Sequence, residues 1–386
     1  MTTAAKSWSC CVLSSKEVIT ATDIYERLAE HLDDLPAGFP RTESGVEMRI
    51  LQRLFTPGDA ELVLHLALIP AEPRVIADRA KIPVEEAAKR LEEMAKKGLI
   101  SSIRREGKPP LYTALQFVVG FWEGQVNKLD RELAQDAEEY MPTYIDHSFW
   151  RALPQVRTIP VGKSISHHTE VMLYERAEEL VSAQKTFAVS NCICRQEQRI
   201  LGKGCDKPEE SCLAFGMAAE VMVRTGRGRP ISQEETLAIL QRAEEVGLVL
   251  QPSNAKKALF ICACCGCCCA ALRSLKRHPE PANLVYSPFL ASLNTDACTG
   301  CGTCVKRCQM EAIHLIDDKA VLDLNRCIGC GLCVTTCATN SLSLTRKPEA
   351  KQPYVPKDIM ETHIRLGKAR GKLGTGRLIG MQDRSK

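Results

Sequence analysis

CTGCGTCVKRC at residues 298–308 and CIGCGLCVTTC at residues 327–337 decide how this chain is built, because both carry the spacing C-x2-C-x2-C-x3-C. Three thiolates at two-residue gaps can surround three corners of one iron–sulfur cube, and the fourth cysteine then reaches a second cube. The glycines between these cysteines are Gly300, Gly302, Gly329 and Gly331. Glycine lets the backbone approach a cluster closely and adopt positive φ. The sequence therefore predicts two four-cysteine cluster sites.

These two motifs resemble the bacterial two-cluster [4Fe–4S] ferredoxin domain over roughly residues 293–345. The resemblance implies that one cluster binds Cys298, Cys301, Cys304 and Cys337, and that the other binds Cys327, Cys330, Cys333 and Cys308. That family usually has a proline after each fourth cysteine, whereas this chain has Gln309 and Ala338 there. The difference concerns local rigidity and not ligation. The repeated pattern argues against zinc or disulfides at these eight positions.

The length and composition of the chain indicate how many domains it forms, where in the cell it is found and how its cysteines are used. The chain has 386 residues, of which 45% are hydrophobic and 20 are cysteines. A chain of this length is expected to form roughly two to four domains. It has no apolar run long enough for a membrane span and no apolar segment typical of a signal peptide, so we expect a cytoplasmic protein. In a reducing compartment, so many cysteines predict metal ligands and not disulfides.

The sequence predicts an α+β protein of several domains. We expect an N-terminal helical segment (1–45), a winged helix-like domain (46–116), a helical connector (117–185), a small α/β cysteine-rich domain (186–280), the ferredoxin domain (281–345) and a basic tail (346–386). The tail is expected either to be solvated or to steer the protein toward an acidic partner.

The winged helix-like prediction rests on helices followed by a hairpin, with a helix over 84–97 that ends at Gly98. Because this helix carries as many acidic as basic residues, binding to another protein is favoured over binding to DNA. Outside this domain, we predict helices over residues 16–34, 127–141, 169–184, 213–225 and 233–246.

Ten further cysteines lie in the predicted cysteine-rich domain, in two groups that each follow a predicted strand. The groups are Cys192, Cys194, Cys205 and Cys212, and then Cys262, Cys264, Cys265, Cys267, Cys268 and Cys269. Because strand ends of an α/β layer converge on one edge, we expect the two groups to meet in space. Lys203, Lys207 and Arg195 are expected to offset the negative charge of the thiolates. Adjacent cysteines are expected to serve different ions or clusters, because successive side chains diverge.

This arrangement predicts one or more additional iron–sulfur clusters, whose exact ligands the sequence leaves open. A four-thiolate zinc site at Cys192, Cys194, Cys205 and Cys212 is one alternative, and reactive thiols are another. The order CICR, GC, C and then CACCGCCC resembles that of iron–sulfur proteins of anaerobic microbes, which join a winged-helix-like start to a C-terminal ferredoxin. That resemblance implies redox work without naming a substrate.

Three functions are compatible with these patterns. The leading one is an iron–sulfur electron-transfer protein or subunit, a component of an oxidoreductase system that passes single electrons between redox partner proteins. The second is a catalytic reductase whose substrate binds at the ten-cysteine site, and the third is a redox-sensing winged-helix regulator that binds DNA. The sequence contains neither a dinucleotide-binding glycine motif after a strand nor a phosphate-binding loop, so no nucleotide or flavin site is expected.

Overall fold

The computed structural model describes residues 21–147, 153–165 and 171–372. This part of the chain mixes helices and strands, as the predicted α+β class requires. Among these residues, no helix combines the length and the apolar character needed to cross a bilayer.

Helices followed by a hairpin open the described chain, in the predicted order. The elements are α1 (Ala21–Asp33), α2 (Val46–Leu54), α3 (Pro57–Val63), α4 (Pro73–Ala80), α5 (Val84–Lys97), β1 (Ile100–Arg105) and β2 (Lys108–Ala114). Strands β1 and β2 pair in antiparallel fashion. Helix α5 has the predicted bounds, and Gly98 follows it in the left-handed region with φ of 82°. The predicted start of the first helix, at residue 16, lies outside the described residues.

Two helices of the predicted connector differ from expectation. Helix α6 (Arg131–Ile145) was predicted to end before Pro142 but runs through it, although proline cannot donate a backbone hydrogen bond at that position. The helix predicted over 169–184 is reduced to α7 (Ala177–Ser182), because Arg176 has extended backbone angles directly before it. The beginning of that predicted helix lies outside the described residues.

A five-stranded sheet and its flanking helices form the cysteine-rich region. The elements are β3 (Phe187–Asn191), α8 (Ile193–Ile200), β4 (Glu210–Phe215), α9 (Met217–Arg224), β5 (Gly228–Ile231), α10 (Gln233–Glu245), β6 (Val249–Pro252), β7 (Phe260–Cys264) and α11 (Ala270–Arg277). The strand order is β5-β3-β4-β7-β6, and every neighbouring pair is antiparallel. Because β3 and β7 are both antiparallel to β4, they point the same way, and their carboxyl ends lie at one edge.

One helix of this region begins later than predicted, because its first predicted residues belong to a strand. The sequence predicted a helix over 213–225, but Leu213 and Phe215 belong to β4, and Gly216, with φ of 52°, separates that strand from α9. Both side chains are fully buried, and their strand is paired on both sides, with β3 and with β7. Tertiary pairing therefore overrides the local helical pattern.

The C-terminal region contains short strands between the cysteine motifs. Its elements are α12 (Pro281–Leu284), β8 (Phe289–Leu293), α13 (Thr303–Arg307), β9 (Ile313–Ile316), β10 (Lys319–Leu322), β11 (Leu342–Arg346) and α14 (Ile359–Ala369). Strand β8 pairs with β11 and strand β9 pairs with β10, both in antiparallel fashion.

Helix α14 shows that part of the predicted basic tail packs against the rest of the molecule. Leu366 of this helix is completely buried. Arg370 donates a hydrogen bond of 2.8 Å to the Asp33 carboxylate, and the Lys372 ammonium lies 3.0 Å from carboxylate oxygens of both Asp33 and Asp34. These positive charges are therefore used inside the molecule, where they fasten α14 to the end of α1.

Candidate metal centres

Four cysteines line a small cavity in the C-terminal region, which we call the buried ferredoxin site. They are Cys308, Cys327, Cys330 and Cys333. The backbone N–H of Ala312 donates to the Cys308 sulfur at 3.2 Å, and that of Ala291 donates to the Cys327 sulfur at 3.3 Å. The structure thus brings Cys308, from the first motif, beside three cysteines of the second.

A second small cavity is lined by the other four cysteines, which we call the outer ferredoxin site. They are Cys298, Cys301, Cys304 and Cys337. The Ala320 N–H donates to the Cys298 sulfur at 3.4 Å, and the Ser341 hydroxyl lies 3.0 Å from the Cys337 sulfur. Each of the two cavities is therefore lined by four cysteine thiols.

The glycines of the two motifs also fit bound clusters. Gly300, Gly302, Gly329 and Gly331 all have φ near +70°, from 69° to 77°, as the sequence predicted. A Cβ at Gly329 would collide with the carbonyl oxygen of Phe289, so only glycine fits there. Thiols around a cavity, with backbone N–H groups directed at their sulfurs, form the environment that a [4Fe–4S] cluster needs.

The two ferredoxin sites differ in their exposure to solvent. Cys301 of the outer site is exposed, whereas Cys327 and Cys333 of the buried site are buried. Burial raises the pKa of the Cys330 thiol to about 12. At Cys337 burial acts in the same direction, but hydrogen bonds from Ser341 and Thr339 outweigh it and lower the pKa to about 7. The outer site is thus the one nearer to water.

The buried ferredoxin site is joined to the central sheet region by direct contacts. Ile328 and Leu332, beside its cysteines, belong to the same hydrophobic core as the residues of that sheet. The Arg307 guanidinium donates to the carbonyl oxygens of Glu244 and Glu245, at 2.6 and 2.7 Å, at the end of α10. The two regions therefore share one packed interior.

Gln309, at a position where ferredoxins usually have proline, makes a further connection. Its side-chain oxygen accepts a hydrogen bond of 2.8 Å from the backbone N–H of Gly266, between the central cysteines. A Cβ on Gly266 would collide with the backbone oxygen of Gln309. Gly266 is not one of the described glycines with positive φ. Glycine is therefore required at this position because the Gln309 backbone comes so close, and not because of the backbone conformation of residue 266. The departure from the ferredoxin pattern thus has a structural use, which the sequence alone did not reveal.

The two groups of central cysteines meet in space, as predicted, but their thiols divide into two different sets. The first set, the thiol tetrad, consists of Cys205, Cys265, Cys267 and Cys268, whose sulfur atoms all lie within 4.8 Å of one another. Three of the sulfur–sulfur distances are 3.8 Å (Cys205 to Cys265), 3.6 Å (Cys205 to Cys268) and 3.7 Å (Cys267 to Cys268).

The second set, the thiol hexad, contains the remaining six cysteines in a row of contacts. Electrostatic interactions between neighbouring thiols connect it in the order Cys192, Cys194, Cys269, Cys264, Cys262 and Cys212. Cys212 and Cys262 are direct cross-strand partners on β4 and β7. Cys192 and Cys269 are the N-cap residues of α8 and α11, so both lie where backbone N–H groups favour a thiolate.

This division corrects two expectations. Cys205 lies in the tetrad, whereas Cys192, Cys194 and Cys212 lie in the hexad, so the zinc site predicted from those four cysteines is not the grouping in the structure. Adjacent cysteines do separate at 264/265 and at 268/269, as expected. Cys267 and Cys268 converge instead, because they lie in a turn and not in a strand.

Arg195 is the cation that accompanies the central thiols. Its side chain is 1% exposed, and its guanidinium donates to the carbonyl oxygens of Pro208 and Ala263 at 2.9 and 2.8 Å. A hydrogen bond from Cys268, together with the charge of Arg195, outweighs burial and lowers the pKa of Cys265 to about 4. The predicted role of Arg195 thus agrees with its position.

Lys203 and Lys207 do not share that role. Lys203 pairs with the Glu138 carboxylate at 3.2 Å, and Lys207 donates to the carbonyl oxygen of Val246 at 2.6 Å. The sequence also missed Gln251, whose side-chain oxygen lies 3.8 Å from the Cys269 sulfur. Only the pairing of β6 with β7 brings Gln251 there, opposite Cys262, so no local signal could have identified it.

Comparison with known proteins bears on the C-terminal region alone. Residues 290–353 match the family model described as a 4Fe-4S dicluster domain. The matched segment includes all eight cysteines of the two ferredoxin sites, so the chain contains a ferredoxin-like iron–sulfur domain near its C-terminus. Neither the curated proteins nor the solved structures gave a match to the chain.

Proposed function

We propose that this chain is an iron–sulfur electron-transfer protein or subunit, which carries single electrons between partner oxidoreductases. The observation that carries the proposal is the pair of four-cysteine cavities inside the segment that matches a 4Fe-4S dicluster domain. Bound [4Fe–4S] clusters supply reversible one-electron chemistry. We assign Cys298, Cys301, Cys304 and Cys337 to one cluster and Cys308, Cys327, Cys330 and Cys333 to the other.

The residues around the two sites suit this role. Backbone N–H groups of Ala291, Ala312 and Ala320 donate to cysteine sulfurs, which stabilises the more negative, reduced state of a bound cluster. Beside the outer site, the β9–β10 hairpin exposes Ile316 and Val321 to solvent. An exposed site next to apolar surface favours transient contact with a redox partner.

The thiol hexad supports the second part of the proposal, an additional iron–sulfur cluster in the cysteine-rich region. Its six sulfurs exceed the four that one cubane requires. Cys269 is the N-cap residue of α11 and Cys192 is the N-cap residue of α8, and the backbone N–H groups of both helix starts lower the pKa of these thiols. Two helix N-termini therefore help to hold negative charge at this position.

For the first unit, α1–α5 with the β1–β2 hairpin, we propose protein contact and not DNA reading. Cations on and near helix α5 are paired within the molecule: Arg90 lies 3.1 Å from Glu86, and Lys97 lies 3.0 Å from Asp59. Such pairing reduces the positive potential that phosphate binding requires.

Metal analysis of the full chain, purified without oxygen, tests the proposed function. We expect about 12 irons per chain, because two ferredoxin clusters and one further cubane each supply four. Reduction with dithionite should produce paramagnetic signals of two interacting [4Fe–4S] clusters. A protein that binds no reducible iron at the ferredoxin sites would refute the electron-transfer proposal.

Gly266→Ala is expected to weaken the junction between the central cysteines and the ferredoxin region. The added methyl group collides with the Gln309 backbone oxygen, so the free energy of unfolding should fall by about 1–3 kcal/mol, as for overpacked interiors. Anaerobic urea denaturation followed by circular dichroism measures this change.

Gly58→Ala is the matched control for that variant. At this position, in helix α3, the nearest neighbour of a Cβ is the flexible end of Arg90, and alanine favours helix, so stability should stay equal or rise by up to ~1 kcal/mol. Equal stability of the Gly266→Ala variant and the wild type would show that this contact is loose.

A further inference from the structure

The thiol tetrad has the shape of a binding site for a single ion. Besides the three short distances given above, the remaining three sulfur pairs, Cys265 with Cys267, Cys265 with Cys268, and Cys205 with Cys267, also lie within 4.8 Å. All six pairs among the four sulfur atoms are therefore close, as the corners of a small tetrahedron are.

The size of this tetrahedron identifies the kind of metal centre. Zn–S bonds of about 2.3 Å in a tetrahedral site place the sulfur atoms about 3.8 Å apart. The measured distances of 3.6, 3.7 and 3.8 Å agree with that value. A cubane spreads its thiolates further, because four irons and four sulfides lie between them. Accordingly, within the described chain, the ferredoxin cysteines form no group with sulfur atoms all within 4.8 Å.

We propose that Cys205, Cys265, Cys267 and Cys268 bind one Zn²⁺ ion, at a site separate from the thiol hexad. Zinc is preferred over ferrous iron because the same thiolate set binds Zn²⁺ more strongly in the general order of divalent metals. This site goes beyond the proposed electron transfer and does not depend on it, since Zn²⁺ has no redox chemistry.

The position of the tetrad indicates what such an ion does. Cys205 lies in the loop between α8 and β4, whereas the other three thiols lie in the turn between β7 and α11. One ion therefore cross-links these two loops. Within the described chain, no pair of thiols outside the tetrad connects them. The same turn carries Gly266, which contacts Gln309, and is flanked by Cys264 and Cys269 of the hexad. Zinc binding here fixes the connection between the cysteine-rich and ferredoxin regions.

The charge close to the thiol tetrad is consistent with a bound Zn²⁺ ion. Four thiolates around Zn²⁺ leave a net charge of about −2. Arg195 is buried beside Cys265 and supplies one positive charge. Cys267 is exposed, so the site has a route by which the metal can enter from solvent.

The test uses the full chain, purified without oxygen and loaded with its metals. We expect about one zinc per chain, and zinc X-ray absorption should show four sulfur neighbours at about 2.3 Å. Cys267→Ser should lose at least half of the zinc while keeping the iron of the ferredoxin sites. Cys212→Ser, in the hexad, is the matched control and should keep its zinc.

The outcomes separate the hypotheses. Iron in place of zinc at the tetrad, or a zinc content that Cys267→Ser leaves unchanged, would overturn the proposal. If Cys267→Ser does not fold, the zinc absorption spectrum of the unchanged protein still decides, because fewer than four sulfur neighbours would exclude the tetrad. Loss of the zinc site would not alter the iron and paramagnetic signals of the ferredoxin sites, so the proposed function stands or falls independently.

Discussion

Replacing Cys308 with serine is expected to destroy the cluster of the buried ferredoxin site and to spare that of the outer site. In sequence Cys308 belongs to the first motif, yet its thiol lines one cavity with Cys327, Cys330 and Cys333. A serine hydroxyl is a poor ligand for iron in place of a soft thiolate. The variant should therefore lose up to about four irons, which is one cubane.

Paramagnetic resonance of the reduced protein, together with an iron count, measures this effect. Cys304→Ser is the matched control, because Cys304 lies in the same motif but lines the outer cavity. Its loss should damage the other cluster and leave the signal of the buried site. If both variants damage the same cluster, the assignment of Cys308 to the second motif is wrong.

The ferredoxin-like domain was predictable from the sequence because its cysteine spacing is encoded locally. Short, fixed spacing places three thiols on one loop, and the glycines between them adopt the positive φ that the spacing led us to expect. The resemblance to ferredoxins was needed only to decide which site each fourth cysteine joins. Cys308 and Cys337 each line a cavity with three cysteines of the other motif. The contact of Gln309 with Gly266 was not predictable, because those residues lie far apart in sequence and meet only through packing.

The sequence indicated that the two groups of central cysteines lie together, but not how their thiols divide into the tetrad and the hexad. Strand ends indicated that the two groups would meet, and they do meet. The division of the thiols depends on the strand register, which pairs Cys212 with Cys262. It also depends on the turn that brings the Cys267 sulfur close to the Cys268 sulfur. A shift of one residue in a strand reverses every side chain, so sequence spacing alone cannot determine that register.

Tertiary contacts explain two elements that the sequence alone did not determine. Leu213 is helical by pattern, but strand pairing on both sides places it in the sheet. For the basic tail the sequence left open a solvated segment or attraction to an acidic partner, and Arg370 and Lys372 find acidic partners at the end of α1. In both cases the deciding partner is distant in sequence.

Arg195→Met is expected to cause the second large effect, a loss of stability in the cysteine-rich region. Methionine keeps much of the volume but removes the charge and the hydrogen bonds to the carbonyl oxygens of Pro208 and Ala263. Removing the partner of buried thiolates leaves their negative charge uncompensated. The free energy of unfolding should therefore fall by about 3–5 kcal/mol, as when one member of a buried charge pair is removed. Anaerobic urea denaturation and metal analysis measure the change.

Arg199→Met separates this effect from the general cost of losing an arginine on helix α8. The Arg199 side chain is 52% exposed, and it pairs with Glu209 at the surface. Such a pair contributes at most about 1 kcal/mol, so this control should keep nearly full stability and full metal content. A positive charge also favours the reduced form of a nearby redox group, so Arg195→Met should lower the midpoint potential of a cluster in the hexad. Equal stability, metal content and potential in both variants would show that Arg195 does not act as the counter-charge of the central thiols.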